Sequence, residues 1–281
     1  MSSREDAFYF DCEGNALLGI IHVPARPATI GVLIVVGGPQ YRVGSHRQFV
    51  LLSRSLASSG FASMRFDYRG MGDATGQTRS FEEAQGDVRA AIDAFFHRLP
   101  GLQGVVLWGL CDGASLAACY AALDPRVRSL VLANPWVRAE ATHARALIER
   151  YYRRRMFEPE FWKKMLRARL NLRASFAAFT QALRASRRPV SASPQSLPAR
   201  MLKALVKRSC PTLFVLSGND LVAAEFRALV AESAEWRRYL ASPTVRVEAR
   251  EEFDHTFSQA TWRDQVADIT RAWMLDLTRS F

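Results

Sequence analysis

A cysteine with a glycine two residues before it and another two residues after it is the clearest chemical signal in this sequence. The segment Gly109–Gly113 lies between a short apolar run, Gly104–Trp108, and a helical stretch at 111–123. Small residues at these two positions allow the tight strand-to-helix turn that holds a nucleophile in a strained backbone conformation. The thiol of Cys111 would lie at a helix N-terminus, where unpaired N–H groups stabilise a thiolate. We therefore predict that Cys111 is a nucleophile.

Such a nucleophile needs a general base and a residue that orients the base. His255 follows the strand-like stretch 244–249, and Asp220 follows the strand-like run Thr212–Leu216, so both lie on loops after predicted strands. The chain order of nucleophile, acid and histidine is the one expected with this type of turn. We predict that His255 accepts the thiol proton and that Asp220 orients His255. Three neighbours compete for these roles: Asn219, Asp254 and His46.

The oxyanion that forms when a thiolate attacks a carbonyl group needs hydrogen-bond donors. The first predicted donor is the N–H of Asp112, directly after the nucleophile. The second is expected from the loop after the apolar run 31–36. Pro39 in that loop has no N–H, which leaves Gly38 or Gln40, and we favour Gly38.

Strand-like and helix-like segments alternate along most of the chain, which indicates an α/β fold. Residues 7–11 and 16–23 predict an opening hairpin, and apolar strands then alternate with helical stretches of about 10 or more residues. This alternation predicts a mostly parallel central sheet flanked by helices on both faces. Residues 137–208 contain no convincing strand. We predict a basic helical cap there, inserted between core segments 1–136 and 209–281.

Composition bounds the class of protein. The 281 residues include 38 Lys and Arg against 27 Asp and Glu, a net charge of +11, and 49% are hydrophobic, which excludes a wholly disordered chain. No apolar run approaches the roughly 20 residues that span a bilayer, and the N-terminus lacks the apolar core of a signal peptide. Four cysteines without a Cys-x-x-Cys pair favour a reducing cytoplasm, and no metal or redox cofactor is predicted. We expect three of them to be buried structural thiols: Cys12, Cys119 and Cys210.

The positive charge is concentrated in the predicted cap. Residues 138–208 contain 18 Lys and Arg and 4 Asp and Glu, a net charge of +14, whereas the rest of the chain has 20 basic and 23 acidic residues, a net charge of −3. Four interpretations stay open: a solvated lid face over a buried apolar stripe, an acidic acyl carrier protein, the phosphates of CoA, or an anionic membrane surface. Nucleic acid is not an expected partner, because no recognised reading motif is present. The candidate substrate- or partner-binding residues are Gln40, Trp136, Arg153, Arg154, Arg155, Lys163, Lys164 and Arg167.

Several motifs together resemble those of the α/β-hydrolase superfamily. They are the glycines before Pro39, the Asp-Tyr-Arg-Gly-Met-Gly loop Asp67–Gly72, the elbow Gly109–Gly113, Asp220 and His255. The blocks 37–49, 65–73 and 108–112 are similar, more narrowly, to the hydrolase 1 type associated with bacterial exosortase A systems. This resemblance implies an α/β-hydrolase fold in a setting of exopolysaccharide synthesis, with an acyl-ligase and an acyl carrier protein nearby. The chain departs from ordinary esterases in two ways: Cys111 replaces serine, and Val36 replaces the common histidine before the oxyanion glycine.

Cysteine in place of serine favours thioester substrates. Attack of a thiol on an oxygen ester or amide is uphill, whereas attack on a thioester is a near-even exchange that keeps the acyl group activated. We therefore predict hydrolysis or acyl transfer at an acyl-CoA or acyl-carrier-protein thioester through an acyl-cysteine. The alternative within the same class is a carboxylesterase or dienelactone-type hydrolase. The alternative from another class is a non-catalytic protein that binds a carrier protein or a membrane.

Overall fold

The computed structural model describes residues 3–38, 40–137 and 195–280. Most of the predicted cap therefore lies outside the described residues. The same holds for the six basic candidates of the cap: Arg153, Arg154, Arg155, Lys163, Lys164 and Arg167. Their contacts with CoA, a carrier protein or a membrane remain predictions.

The described residues form one eight-stranded sheet. Its strands are β1 (Ser3–Cys12), β2 (Asn15–Pro24), β3 (Ile30–Val35), β4 (Ser63–Phe66), β5 (Gly104–Leu110), β6 (Val127–Ala133), β7 (Thr212–Asn219) and β8 (Val245–Asp254). The spatial order is β1-β2-β4-β3-β5-β6-β7-β8. β1 and β2 form the predicted hairpin, β2 pairs antiparallel with β4, and all later pairs are parallel. The α/β fold with a mostly parallel sheet is confirmed.

Helices cover both faces of the sheet. They are α1 (Gln48–Ser58), α2 (Gln85–Arg98), α3 (Asp112–Tyr120), α4 (Leu197–Arg208), α5 (Leu221–Glu232), α6 (Ala234–Leu240) and α7 (Ala260–Ser280). Trp108 of β5 packs against Phe49 of α1 and donates its indole N–H to Thr270 of α7 at 3.1 Å, so α1 and α7 share one face. Phe95 of α2 packs against Gly31 on the other face. None of the helices in the described ranges is long and apolar enough to cross a membrane.

Helix α4 lies within the range 137–208 that we predicted as a cap. Leu197, Met201 and Leu205 recur at helical spacing, are buried, and pack with the core, where α4 contacts α3. Pro198 occupies the first turn, where its missing N–H has no helical partner to lose. The last part of the predicted cap therefore packs as a layer of the core.

The region 222–239, which we predicted as one helix, is divided into α5 and α6. Ser233 ends α5 and caps α6, because its hydroxyl accepts the N–H of Trp236 at 3.3 Å. The change of direction lets Trp236 pack edge-on against Phe226, with ring centroids 5.3 Å apart. The helical periodicity of the sequence conceals this break, which depends on a single capping serine.

Candidate active site

The three predicted catalytic side chains lie at the carboxyl ends of parallel strands. Cys111 follows β5 directly, Asp220 lies between β7 and α5, and His255 follows β8. Strands β5 to β8 are consecutive neighbours that run parallel, so their carboxyl ends meet at one edge of the sheet. The topology thus brings together residues that lie far apart in the sequence.

Cys111 adopts a strained backbone conformation at the turn from β5 to α3. Its φ and ψ are 59° and −125°, a region that residues with a Cβ rarely occupy. The two flanking glycines are required by space. A Cβ on Gly109 would lie 2.5 Å from the carbonyl oxygen of Gly113, and a Cβ on Gly113 would lie 2.4 Å from the carbonyl oxygen of Val35. The Gly-x-Cys-x-Gly spacing therefore reflects close backbone approach at the nucleophile.

The chain after β6 holds this turn in place. The backbone N–H of Trp136 donates to the carbonyl oxygen of Cys111 at 3.2 Å, and the hydroxyl of Ser115 donates to the carbonyl oxygen of Trp136 at 2.6 Å. The indole of Trp136 packs edge-on against Phe81, with ring centroids 5.5 Å apart. Trp136, which we named as a candidate binding residue, thus supports the nucleophile through its backbone.

Asp220 and His255 form a close pair. The Nδ1 atom of His255 lies 3.0 Å from Oδ2 of Asp220, whose side chain is only 5% exposed. Asp220 is also the N-cap of α5, where its carboxylate accepts the N–H groups of Val222 and Ala223 at 3.1 Å each. These two bonds fix the carboxylate, so that it can orient the imidazole as the sequence predicts.

His255 contacts Cys111 as well as Asp220. Burial favours the neutral imidazole, but hydrogen bonds to Asp220 and Cys111 outweigh it and raise the pKa of His255 to about 10. The Asp220 carboxylate and the Cys111 sulfur both favour the protonated form of this imidazole. An imidazolium beside a sulfur atom stabilises the negative charge of a thiolate. The arrangement can generate a nucleophile and can return a proton to a leaving group.

The competing residues have other roles. The side-chain amide of Asn219 donates to the carbonyl oxygen of Glu252 at 3.3 Å. The carboxylate of Asp254 accepts the N–H of Ser258 at 2.9 Å and also the hydroxyl of Ser258. His46 is exposed and lies in a short 3-10 turn after β3. Of the predicted acids, Asp220 is therefore the one that pairs with His255.

Two polar residues that we did not predict anchor the histidine loop. The side-chain amide of Asn134, buried after β6, donates to the carbonyl oxygen of His255 at 3.2 Å and to Oγ of Ser217 at 2.9 Å. Its oxygen accepts the N–H of Ser217 at 2.9 Å, and Ser217 Oγ donates to the carbonyl oxygen of Asp254 at 2.9 Å. This network ties three strand ends together. The available sequence signal was the position of Asn134 and Ser217 beside the carboxyl ends of predicted strands.

The predicted oxyanion donors are occupied by a side chain. The structure brings Gly38 and Asp112 together, but the N–H of Gly38 donates to Oδ1 of Asp112. Burial raises the pKa of the Asp112 carboxyl group, and hydrogen bonds from the backbone N–H groups of Gly38, Gly113 and Asp112 itself oppose the rise. Both N–H groups that we assigned to the oxyanion therefore interact with one carboxylate. Asp112 thus acts through its side chain as well as its backbone, which the motif does not indicate.

A cavity of about 600 Å³ opens beside this carboxylate. Its walls are mostly apolar and include Val36, Tyr68, Met71 and Phe81, while Asp112 lines the end next to the nucleophile turn. Its other described lining residues include Gly38, Gln40 and Tyr41. The carbonyl oxygen of the Gln40 side chain accepts the N–H of Ser45 at 3.2 Å, which holds the loop after β3. The cavity has the size and polarity expected for the acyl part of a small substrate.

The loop Asp67–Gly72 forms one wall of this cavity and is held by buried charges. Asp67 accepts the backbone N–H of Arg42 at 2.7 Å and pairs with its guanidinium group, while Arg69 donates to Asp87 at 2.6 Å. Gly72 has φ 56°, and a Cβ there would lie 2.3 Å from the Asp67 carboxylate. These contacts fix the shape of the cavity wall that the loop forms.

The other three cysteines differ from Cys111 in their surroundings. Burial raises the pKa of Cys12 and of Cys119 to about 11, and it also raises the pKa of Cys210. None of the three lies at a catalytic strand end, and Cys12 donates its S–H to Asp87 at 3.6 Å. Within the described ranges, no group of three or more His, Cys, Asp or Glu side chains could hold a metal ion.

Comparison with known proteins assigns the same architecture. The family described by the alpha/beta hydrolase fold matches residues 32–196, more than half of the chain. No curated protein matches the chain.

Solved structures extend the similarity to nearly the full length. An esterase from Pyrococcus furiosus is 13% identical over 97% of this chain and 91% of its own, with a TM-score of 0.67. Est1E from Butyrivibrio proteoclasticus, with bound ferulic acid, is 16% identical over 96% and 98% of the two chains, with a TM-score of 0.62. A dienelactone hydrolase from Anabaena variabilis is 16% identical over 98% of each chain, with a TM-score of 0.62. At these identities the likeness concerns the fold.

Proposed function

This chain belongs to the α/β-hydrolase fold family, and we propose that it hydrolyses or transfers acyl groups from thioesters through an acyl-Cys111 intermediate. The observation that supports this proposal is that His255 contacts Cys111 at the nucleophile turn while its Nδ1 lies 3.0 Å from the Asp220 carboxylate. The same constellation with serine performs acyl transfer in many hydrolases. The family match supports the coarser statement that the protein is a hydrolase.

In the first step of the proposed reaction, His255 takes the proton of the Cys111 thiol. The sulfur forms a bond to the thioester carbonyl carbon, and the carbonyl electron pair moves to the oxygen. The tetrahedral adduct then expels the substrate thiolate, which takes the proton from His255. The neutral imidazole next removes a proton from water or from an amine, and that nucleophile attacks the acyl-Cys111 carbonyl. Release of the Cys111 thiolate, which takes the proton back from His255, restores the starting state.

The oxyanion of the tetrahedral adduct requires the position that the Asp112 carboxylate now occupies. The N–H groups of Gly38 and Asp112 can bind a substrate oxygen only when this carboxylate turns away. The adjoining cavity, which Asp112 lines, offers room for this movement. We assign Gly38 and Asp112 as the oxyanion donors after that rotation.

The choice of a thioester follows from the nucleophile. A sulfur nucleophile exchanges one thioester for another at little energetic cost, whereas it makes a less stable acyl bond from an oxygen ester. The resemblance to hydrolases of exosortase A systems favours acyl groups carried on CoA or on an acyl carrier protein as the first substrates to test. The positive charge of 138–208 suits the phosphate of either carrier.

Thiol release measures this function directly. Purified protein is incubated with acyl-CoA, acyl-carrier-protein and acyl-N-acetylcysteamine thioesters and with the matching oxygen esters. The proposal predicts thioester turnover that is lost in Cys111→Ala and kept in Cys119→Ala, which removes another half-buried thiol. Cys111→Ser is expected to shift the ratio of activities toward oxygen esters. Faster ester cleavage with undiminished thioester turnover in Cys111→Ser would remove the basis for the thioester assignment.

A second candidate function is cleavage of an oxygen ester or lactone, as in a carboxylesterase or dienelactone-type hydrolase. The observation that favours it is the complete Cys-His-Asp arrangement beside a mostly apolar cavity, which suits either acyl bond. Turnover of oxygen esters without turnover of any thioester would assign this function instead. Lack of turnover with all substrates, together with no labelling of Cys111 by iodoacetamide, would favour a non-catalytic binding protein.

A further inference from the structure

Among the strands of the described residues, β8 is the last one in the sheet, so its outer edge has no neighbouring strand there. The N–H of Thr212 in β7 donates to the carbonyl oxygen of Thr244 at 2.9 Å. In a strand, the backbone N–H and C=O groups of successive residues point to opposite sides. The backbone groups of the even-numbered residues in 244–250 therefore face β7. The backbone groups of Val247 and Ala249 therefore point outward. Such an edge can accept a further strand.

Charged side chains alternate in sign along this edge. Arg246, Glu248 and Arg250 share one face of β8, where Arg246 lies 2.7 Å and Arg250 lies 3.0 Å from the Glu248 carboxylate. Charges of a single sign on an edge strand repel a second copy of the same strand. Alternating charges attract a second copy when the antiparallel register places each arginine opposite a glutamate.

We propose that β8 pairs antiparallel with β8 of a second copy of this chain, about a two-fold axis at Val247. In this register Arg246 lies opposite Glu248 of the second copy, and symmetry makes this pair twice. Val247 faces its own counterpart, which covers an apolar side chain that is 41% exposed. Because the backbone groups of Val247 point outward, they can form the central hydrogen-bonded pair of an antiparallel ladder.

Other registers fit less well. An axis at Glu248 would set Glu248 against itself and Arg246 against Arg250, so that like charges would lie opposite each other. An axis at Ala249 sets Glu248 against Arg250, but it extends past Arg250, where the pairing of β8 with β7 becomes irregular. Val247 is the midpoint of the regular stretch 244–250. Only an axis at this residue pairs every residue of the stretch with a residue of the same stretch in the second copy.

Sedimentation of the full chain and three charge variants tests this pairing. The wild type is expected at twice the 31.5 kDa chain mass, and Glu248→Arg, which sets arginine against arginine, is expected at the single-chain mass. Two charge swaps form a matched pair, since both keep the net charge and both create one like-charged pair within the strand. R246E/E248R again places opposite charges across the axis at Val247 and is expected to form a dimer. E248R/R250E places Arg246 opposite an arginine at position 248 and is expected to be a monomer.

Each deviation from this pattern overturns the proposal. A wild type that sediments as a single chain at micromolar concentration, or an E248R variant that remains dimeric, contradicts pairing through β8. A dimer of E248R/R250E with a monomer of R246E/E248R contradicts the axis at Val247. Circular dichroism and melting curves establish for each variant whether it is folded, which matters most at position 248, where the glutamate side chain is only 15% exposed.

Discussion

The backbone N–H of Gly38 donates to the carboxylate of Asp112, so a side chain occupies the position that we propose for the substrate oxyanion. Gly37 leaves room for this contact, because a Cβ there would lie 2.6 Å from Oδ1 of Asp112. The carboxylate also interacts with the first N–H groups of α3. In this structure the N–H groups that we propose as oxyanion donors therefore interact with a side chain of the protein itself.

Removal of this carboxylate is expected to accelerate acylation. In Asp112→Ala the N–H groups of Gly38 and residue 112 are free for the substrate, and kcat/KM for thioesters should rise about tenfold, or about 1.4 kcal/mol. The same change should lower the melting temperature slightly, since an acidic residue in the first turn of a helix contributes about 0.3–1 kcal/mol. Steady-state kinetics and calorimetry on the same samples measure both effects.

The pH dependence separates this effect from a general change of the site. Burial raises the pKa of Asp112, and a protonated carboxyl group is a weaker hydrogen-bond acceptor than a carboxylate. The advantage of Asp112→Ala over the wild type should therefore shrink as the pH falls. A variant that is folded but acylates more slowly than the wild type at every pH would show that the carboxylate assists the reaction.

Asp220 has two roles that a pair of substitutions can separate. Asp220→Asn keeps an N-cap oxygen for α5 but loses the charge beside His255, so kcat should fall at least about 100-fold with little change in stability. Asp220→Ala loses the cap as well, which should lower the free energy of unfolding by about 1 kcal/mol. If Asp220→Asn and Asp220→Ala lost the same stability, the N-cap hydrogen bonds of Asp220 would not contribute to the stability of α5.

His255 should make the stability depend on pH. Its pKa in the folded protein, about 10, lies above the ordinary value of 6.5, so the folded state holds this proton more tightly than the unfolded state. The resulting stabilisation is fully present below about pH 6.5 and is lost as the pH rises toward 10. The difference in melting temperature between the wild type and His255→Gln should therefore narrow from pH 6 to pH 10. His97→Gln, at an exposed helix position, controls for loss of an imidazole, and a difference that grows with pH would contradict the assigned pairing.

Asn134 is expected to position His255 without touching the reacting atoms. Asn134→Ala removes both acceptor and donor, leaves the N–H of Ser217 and the carbonyl oxygen of His255 without this partner, and should cost about 1–3 kcal/mol of stability. The rate of acyl-enzyme formation should fall more than substrate affinity, and the pH at which the rate falls should move, because the imidazole is no longer fixed. A loss of stability alone, with an unchanged pH profile, would assign Asn134 a structural role only.

The local patterns of the sequence were sufficient to predict the sheet and the positions of Cys111, Asp220 and His255 after its strands. The apolar runs that became β3, β5 and β6 are buried along nearly their whole length, which is why their composition indicated parallel strands. Gly109 and Gly113 mark the nucleophile turn because backbone contacts leave no space for a side chain. Asp220 and His255 followed from chain order and from their positions after strands.

Long-range contacts account for what the sequence did not predict. The role of Asn134 depends on the meeting of the ends of β6, β7 and β8, which local periodicity does not describe. The contact between Asp112 and Gly38 joins loops that are 74 residues apart. The packing of α4 against α3 was not predicted, because the many basic residues of 138–208 indicated a solvent-facing cap. The apolar Leu197 and Met201, which are buried in the structure, indicate core packing only in hindsight.

The acyl-Cys111 intermediate can be detected by the mass of the peptide that contains this cysteine, measured after a brief reaction with an acyl thioester and an acid quench. We expect that this peptide gains the mass of the acyl group and that hydroxylamine removes the gain. Cys111→Ala should show no gain, whereas Cys119→Ala should be acylated like the wild type. Addition of an amine should then show whether the acyl group passes to the amine or to water. Two results would contradict an acyl-Cys111 intermediate: turnover of the thioester without any acyl group on Cys111, and turnover that persists in Cys111→Ala.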